Sequence, residues 1–293
     1  MNKNKYNVKK YLLTFLAILL FSFSIVSCGL TKFNSNKASN ADPNKMLVHY
    51  IDVGQGDCIL VQVNNKNLLI DSGPKSDRKK LFNYLSGLDL NKLDYVIATH
   101  PHEDHIGNMD DIIKTYSIGT FYAPKVESTT KSFEDMVDAL KDKNLKVHVL
   151  KNNSTSIDLG ENTKVNVFSP NKDFYDNLNN YSPVIKIQYG NTSFLFTGDA
   201  EKEVEKEILN NNEDISADVL KVGHHGSSTS TSKDFLKKVN PSIAVISVGK
   251  DNIYNHPDAI TTKLLDENNI KTYRTDKDGT IVICSDGSNI SKK

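Results

Sequence analysis

Apolar residues come in short bursts broken by Gly, Asn and Lys, and the period of each burst predicts an element. Positions 48–52, 58–63 and 67–70 predict three strands joined by Gly- and Asn-containing turns. A helix is predicted over 79–87, with Leu81, Phe82 and Leu85 on one side. Strands at 95–98, 120–123 and 146–150 then alternate with helices at 108–116 and 132–143. Positions 164–168, 182–189 and 192–196 read as an antiparallel meander. A helix over 201–209 follows, its Glu201, Glu203, Glu205 and Glu207 assigned to a solvated face. Strands at 219–222, 243–248, 272–274 and 279–284, with helices at 232–239 and 259–267, complete the pattern. Strands first, then alternating strands and helices, predict an α/β fold of two sheets packed face to face with helices outside.

The N-terminus follows a different pattern. Lys3, Lys5, Lys9 and Lys10 precede an apolar run at 11–26 that is too short and too promptly ended for a membrane span. Ile25-Val26-Ser27-Cys28 resembles a bacterial lipobox, which implies a signal peptide over 1–27 and lipidation of Cys28. Residues 28–45 are rich in Asn, Ser and Lys without apolar periodicity and read as a flexible tether. The expected location is the outer face of a cytoplasmic membrane, held there by the N-terminal lipid. The folded part, 46–287, is normal in length for one α/β domain.

Charge narrows the partners. The chain holds 36 Lys+Arg and 36 Asp+Glu. Removing the leader takes away four lysines and no acid, leaving 32 against 36, or about −4. That balance exerts no general pull on nucleic acid. A local basic rim is expected from Lys221, Lys250 or Arg274. Arg78 and Arg274 are the only arginines, so bidentate phosphate clamps are few. Beyond Cys28, Cys58 and Cys284 are expected to be buried free thiols. No internal repeat and no Gly-rich nucleotide loop is present, so no nucleotide cofactor is expected.

The chemistry concentrates in Thr99-His100-Pro101-His102-Glu103-Asp104-His105, directly after the predicted strand at 95–98. The chain has eight histidines, and three fall in this one loop. His100 and His102, two apart on extended backbone, point the same way. Asp104 and His105 follow on the turn and can serve a second ion. Imidazole nitrogens with carboxylate oxygens suit zinc, manganese or iron.

This His-x-His-x-Asp-His pattern resembles that of the metallo-β-lactamase superfamily, and further motifs occur in the family's order. Positions 46–63 with Gly54-Gln55-Gly56-Asp57 are similar to the opening hairpin, and Leu68-Leu69-Ile70-Asp71-Ser72-Gly73 to the first motif. Phe194-Leu195-Phe196-Thr197-Gly198-Asp199 is similar to the strand carrying a metal-bridging carboxylate. Leu220-Lys221-Val222-Gly223-His224-His225-Gly226-Ser227 supplies the late histidine. Together with Asn255-His256-Pro257, the wording resembles the soluble domain of the ComEC family of DNA-uptake competence proteins. Phosphorylcholine esterases of the bacterial surface share part of it. The chain is expected to be a stand-alone version of the hydrolase domain, without the polytopic membrane region.

The resemblance implies an αββα sandwich and two divalent ions, Zn or Mn, that activate water for hydrolysis. It places His100 and His102 at the first metal position, Asp104 and His105 at the second, and Asp199 between them, though Asp199 could instead close a turn or cap the next helix. Spacing favours His225 as ligand, with His224 reaching a substrate oxygen. Asp104 or Asp199 would orient the attacking hydroxide. Asp71 buttresses the His loop, and Glu103 faces solvent. His256 is expected at the rim, contacting a phosphate or protonating a leaving group, or else is a helix-entry residue. Ser227, Ser228 and Thr229 donate to phosphate or start the next helix. The family's third histidine is missing. Asn179-Asn180 stands in its place, which weakens the first position and puts manganese beside zinc. Asn180 is assigned a supporting role.

The expected function is a monomeric, extracytoplasmic phosphodiesterase or nuclease acting on DNA. The alternatives are an esterase of phosphorylcholine or teichoic-acid-type groups, and a non-enzymatic surface lipoprotein that retains metal.

Overall fold

The computed structural model describes residues 44–293 apart from residues 89 and 155. The proposed signal peptide, Cys28 and most of the tether lie outside the described residues. Among the described residues, no helix is long and apolar enough to cross a membrane.

The strands are β1 (Met46–Tyr50), β2 (Ile59–Val63), β3 (Lys66–Ile70), β4 (Lys92–Ile97), β5 (Ser117–Ala123), β6 (Val147–Val149), β7 (Thr163–Val167), β8 (Ile185–Tyr189), β9 (Thr192–Phe196), β10 (Val219–Lys221), β11 (Ile243–Ile246), β12 (Lys271–Arg274), β13 (Ile281–Ser285) and β14 (Ile290–Lys292). They form an eight-stranded sheet in the order β14-β13-β1-β2-β3-β4-β5-β6 and a six-stranded sheet in the order β12-β11-β10-β9-β8-β7. Pairing is antiparallel from β14 to β3 and parallel from β3 to β6. In the second sheet β9 to β12 are parallel, and β7 to β9 form the predicted meander.

Strand periodicity divides the side chains among three cores. In β9, Phe194 and Phe196 join Tyr50, Val61 and Val245 in a cluster drawn from both sheets. Leu195, between them in sequence, packs instead with Val204, Ile208, Phe235 and Leu265 from the helices Lys202–Asn210, Lys233–Val239 and Ala259–Glu267. On the first sheet, Leu60 and Val96 pack with Leu81, Ile112 and Leu140 from helices Arg78–Ser86, Met109–Thr115 and Lys131–Asp142. A sheet covered on both faces needs strands apolar on both sides, as these are. The layers are helix, sheet, sheet, helix, as expected.

Three readings are corrected. The domain does not end at 287, because β14 pairs with β13 beyond it. Glu205 is not on a solvated face. It is buried and accepts hydrogen bonds from the backbone N–H groups of Thr231 and Ser232. Burial, opposed by these hydrogen bonds, raises its pKa. Lys221 is not on a rim but fully buried, paired with Asp57. Cys58 and Cys284 are buried free thiols, and burial pushes the Cys58 thiol up.

Candidate metal centre

The candidate residues come from loops that follow the C-terminal ends of parallel strands. Asp71 follows β3, the His100–His105 loop follows β4, Asp199 follows β9, and His224 and His225 follow β10. Backbone conformation aims them. Asp71, His224 and His225 adopt φ values of 59°, 49° and 54°, in the left-handed region that non-glycine residues avoid. Such strain persists where the surroundings over-determine it, which is common at functional sites. Gly56 permits a further close approach: a Cβ there would run into the Asp104 carbonyl oxygen.

Asp199 is the hub. Its Oδ2 lies 3.2 Å from His105 Nε2, 3.5 Å from His225 Nε2, 3.6 Å from His224 Nε2 and 3.8 Å from His100 Nε2. His225 Nε2 is also 3.2 Å from Asp104 Oδ2. Ligand atoms of Asp104, His105, Asp199 and His225 all lie within 4.8 Å of one another. His100 Nε2 and His102 Nδ1 are 2.9 Å apart.

The far side of each ring is tethered. His105 Nδ1 is 2.8 Å from Asp71 Oδ2, and Asp71 also accepts from the Thr99 backbone N–H and hydroxyl. With its hydroxyl proton given to Asp71, Thr99 accepts from His100 Nδ1 at 3.1 Å. His225 Nδ1 donates to the Ser247 carbonyl at 3.0 Å. These partners fix the tautomers and leave the Nε2 lone pairs of His100, His105 and His225 facing inward, as a metal requires.

Among the described residues, His105 Nε2, His225 Nε2 and Asp199 Oδ1 are buried without a hydrogen-bond partner. Buried polar atoms are rarely left so. Converging unpartnered nitrogen and carboxylate donors fit divalent metal. Electrostatics point the same way. Burial alone would raise the Asp199 carboxyl, but His105 and His225 pull it well below the usual range. Burial would lower the His225 imidazole, yet Asp199, Asp104 and Asp57 carry it up to about 10. The carboxylates that raise the His105 and His225 imidazoles would equally favour a bound cation.

Behind His225 lies an ion pair absent from the sequence reading. Lys221 Nζ is 2.8 Å from Asp57 Oδ2, both side chains almost wholly buried, and Asp57 Oδ1 is 3.5 Å from His225 Nδ1. Against the desolvation that would raise it, Lys221 and His225 hold Asp57 down to about 2. The signal was present: a lysine inside the apolar run Val219-Leu220-Lys221-Val222 needs a buried partner.

The centre opens into a cleft of about 350 Å³ lined by His102, Asn179, His224, His225, Tyr254 and His256, among others. His256 sits on its wall, its ring 5.6 Å from that of His224. Burial, then the neighbouring histidines, lowers its pKa. Of the paired histidines, His225 is buried in the ligand cluster, whereas the partly exposed His224 meets the cleft and Thr229. Asn180 is turned from the cleft, its amide oxygen accepting from Glu201 N–H. Glu103 is exposed.

The expected rim is largely corrected. Arg274 is committed to Asp276 through two hydrogen bonds and does not line the cleft. Ser227 is buried, its hydroxyl shared with Thr229 in the same turn. Only Lys250 remains, in an adjoining hollow of about 680 Å³ whose wall carries six carboxylates and two lysines. Sequence reasoning also gave no role to Gln55 or Tyr254, both on the cleft wall. An exposed tyrosine in a loop was the available signal.

The metallo-beta-lactamase superfamily model matches residues 51–250, and the chain belongs to that superfamily of hydrolases, whose members typically bind divalent metals. It is similar to ComE operon protein 3 of Bacillus subtilis (strain 168), 33% identical over 252 residues, covering 80% of this chain and 32% of that protein. It is also similar to Recombination protein 2 of Haemophilus influenzae, 31% identical over 217 residues, covering 72% and 25%. The chain thus spans a third or less of the length of these relatives. Among solved structures, the metallo-beta-lactamase fold protein YhfI from Bacillus subtilis matches with a TM-score of 0.50 at 14% identity, covering 78% of this chain and 95% of that one. That likeness concerns the fold.

Proposed function

We propose that this chain is a metal-dependent phosphodiesterase of the ComEC-like branch, acting on DNA outside the cell and held to the membrane through lipidated Cys28. The observation that carries the reading is the set of buried, unpartnered donors around Asp199 at the floor of a histidine-walled cleft. Similarity to a relative named Recombination protein 2 supports the substrate class.

Divalent ions, Zn or Mn, would be held by His100, His102, Asp104, His105, Asp199 and His225. When bound they supply Lewis-acid charge to a phosphoryl oxygen and make water acidic enough to attack near neutral pH. The protein's own part is orientation. Asp71, Thr99 and Ser247 fix the ring tautomers, so no reorganisation accompanies charge build-up. His224, on the cleft side of Asp199, would meet a substrate oxygen, and His256, whose pKa is lowered, would contact a phosphate oxygen rather than serve as a proton donor.

A second reading, hydrolysis of phosphorylcholine or teichoic-acid-type esters, draws on the acidic hollow beside the cleft. Six carboxylates against two lysines repel a polyanion and tolerate a cationic or neutral substituent. The full chain is to be assayed with bis-p-nitrophenyl phosphate, single- and double-stranded DNA, phosphorylcholine esters and nitrocefin, each with Mn²⁺ and Zn²⁺. Cleavage of the model diester and DNA, abolished by His102→Ala and kept by Glu103→Ala, is the expected result. Phosphorylcholine release without DNA cleavage would replace the first reading by the second.

A further inference from the structure

We infer that Asn179 completes the first metal position through its side-chain carbonyl oxygen, and that Glu201 decides which end of the amide faces the metal. The inference rests on the proposal that this centre binds metal, and goes beyond it by assigning a ligand where the superfamily's histidine is absent.

Asn179 sits in the short helical turn Leu178–Tyr181, where Asn177 accepts a hydrogen bond from its backbone N–H. It is 6% exposed and lines the cleft together with His102, Asp199 and His224. Its Nδ2 donates to Glu201 Oε1 at 3.1 Å. A carboxylate only accepts, so flipping the amide would set oxygen against oxygen. The network therefore fixes the amide with nitrogen towards Glu201 and the carbonyl oxygen away from it. That oxygen is buried and has no hydrogen-bond partner among the described residues.

The neighbouring asparagine is different. Asn180 Oδ1 accepts from Glu201 N–H at 3.1 Å, and its Nδ2 donates to Glu203 Oε2 at 3.0 Å. Both ends are spent on anchoring the turn. Of the two amides replacing the expected imidazole, Asn179 is the one that lines the cleft and, among the described residues, the one whose oxygen lacks a partner. Glu201 is held in turn by the Thr229 hydroxyl at 3.0 Å.

An amide oxygen is neutral and harder than imidazole nitrogen. With Asp199 beside it, the first position offers two nitrogens and two oxygens. Exchanging imidazole for oxygen narrows zinc's usual advantage over manganese. Asn179 is thus a ligand, and Glu201 a positioning residue that acts through it.

The test is calorimetric titration of the metal-stripped full chain with Mn²⁺ and, separately, Zn²⁺, with near-ultraviolet circular dichroism as the folding check. Asn179→Leu is expected to weaken one Mn²⁺ equivalent at least tenfold, and Asn179→Asp to retain it. Asn179→His is expected to shift that position at least tenfold towards Zn²⁺. Glu201→Gln, which lets the amide turn, is expected to weaken Mn²⁺ binding several-fold. Asn179→Asp, with oxygen at both ends, should restore binding in that background. Wild-type Mn²⁺ stoichiometry and affinity in folded Asn179→Leu, while His102→Ala loses an equivalent, would overturn the assignment and leave the metal centre standing. If the wild-type chain takes up neither ion, the metal centre falls and the ligand with it. Should Asn179→Leu not fold, the other two variants decide, and the same Mn²⁺-to-Zn²⁺ preference in both Asn179→Asp and Asn179→His overturns the inference.

Discussion

Lys221→Met removes one ammonium from beneath His225 while keeping the length of the side-chain stem. Lys221 and Asp57 are 2.8 Å apart, with side chains 0% and 2% exposed. At an effective dielectric constant of about 20, the attraction across that distance is about 6 kcal/mol. Desolvation of both ions offsets much of it, but the methionine variant keeps the cost of burying Asp57 and loses the compensation. Among the described residues Asp57 Oδ1 has no hydrogen-bond partner, and His225 Nδ1, 3.5 Å away, already donates to the Ser247 carbonyl, so no spare donor takes over. The donation from Lys221 Nζ to the Val222 carbonyl, 3.0 Å, is lost as well. Stranding one member of a buried pair typically costs about 3–5 kcal/mol, a large part of the roughly 5–15 kcal/mol that holds a domain together. The double variant Asp57→Asn/Lys221→Met removes the stranded charge and should be more stable than Lys221→Met alone. Urea unfolding of the metal-free chain measures both. Far-ultraviolet circular dichroism is the probe, since the chain has no tryptophan. A loss below about 1 kcal/mol for Lys221→Met, or a double variant as unstable as the two single losses added, would refute the account of a charge-compensated strut.

Asp199→Asn should lower metal content at both positions, because its carboxylate touches histidines of each; normal content by elemental analysis would contradict the hub. Bound metal at a hundred times its dissociation constant should stabilise the wild-type chain by about 2.7 kcal/mol, and thermal unfolding should show that rise shrinking in Asp199→Asn. Burial pushes His49 down to about 4, below its unfolded value of about 6.5, so its contribution is present above pH 6.5 and lost as pH falls towards 4. The loss is roughly 3 kcal/mol, and a His49→Gln variant with the same unfolding-versus-pH profile as wild type would refute it. Cys28→Ala should abolish processing by lipoprotein signal peptidase, and unchanged processing in pulse-labelled cells would remove the proposed anchor.

The sandwich was legible because its strands are apolar on both faces and short, a pattern that a surface helix cannot mimic. The apolar run Phe194-Leu195-Phe196, following the Gly190-Asn191 turn, located β9 to the residue. By contrast β14, Ile290-Ser291-Lys292, is a mostly exposed edge strand with no such pattern, and its place is set by pairing with β13. Glu205 was misread by residue type, grouped with Glu201, Glu203 and Glu207 although residues two apart on a helix do not share a face. What buries it is the Thr231–Ser232 turn, whose N–H groups it satisfies. The His loop was legible because its residues lie side by side in sequence. The choice between His224 and His225, or Asn179 and Asn180, depends on which way adjacent side chains turn.

The electrostatic errors share one cause. Lys221, Arg274 and Ser227 were placed at the surface by residue type, yet each has a partner that composition does not reveal. Lys221 has Asp57, Arg274 has Asp276, and Ser227 has Thr229. The consequence is larger than three misplaced side chains. Asp104 and Asp199 line the cleft, Asp57 and Asp71 lie buried behind its histidines, and among the described residues Lys221 is the only lysine or arginine paired with any of the four. A floor so charged is neutralised either by protons on His105 and His225 or by divalent cations, because isolated buried carboxylates are too costly to keep. The charge that would have met a polyanion at the rim instead lies beneath the ligands, compensating the floor. On the proposed phosphodiesterase reading, attraction for the substrate phosphate would come from the metal positions and from His224 and His256 on the cleft wall. Substrate preference would then turn on the hollow beside Lys250, whose six carboxylates disfavour a polyanion.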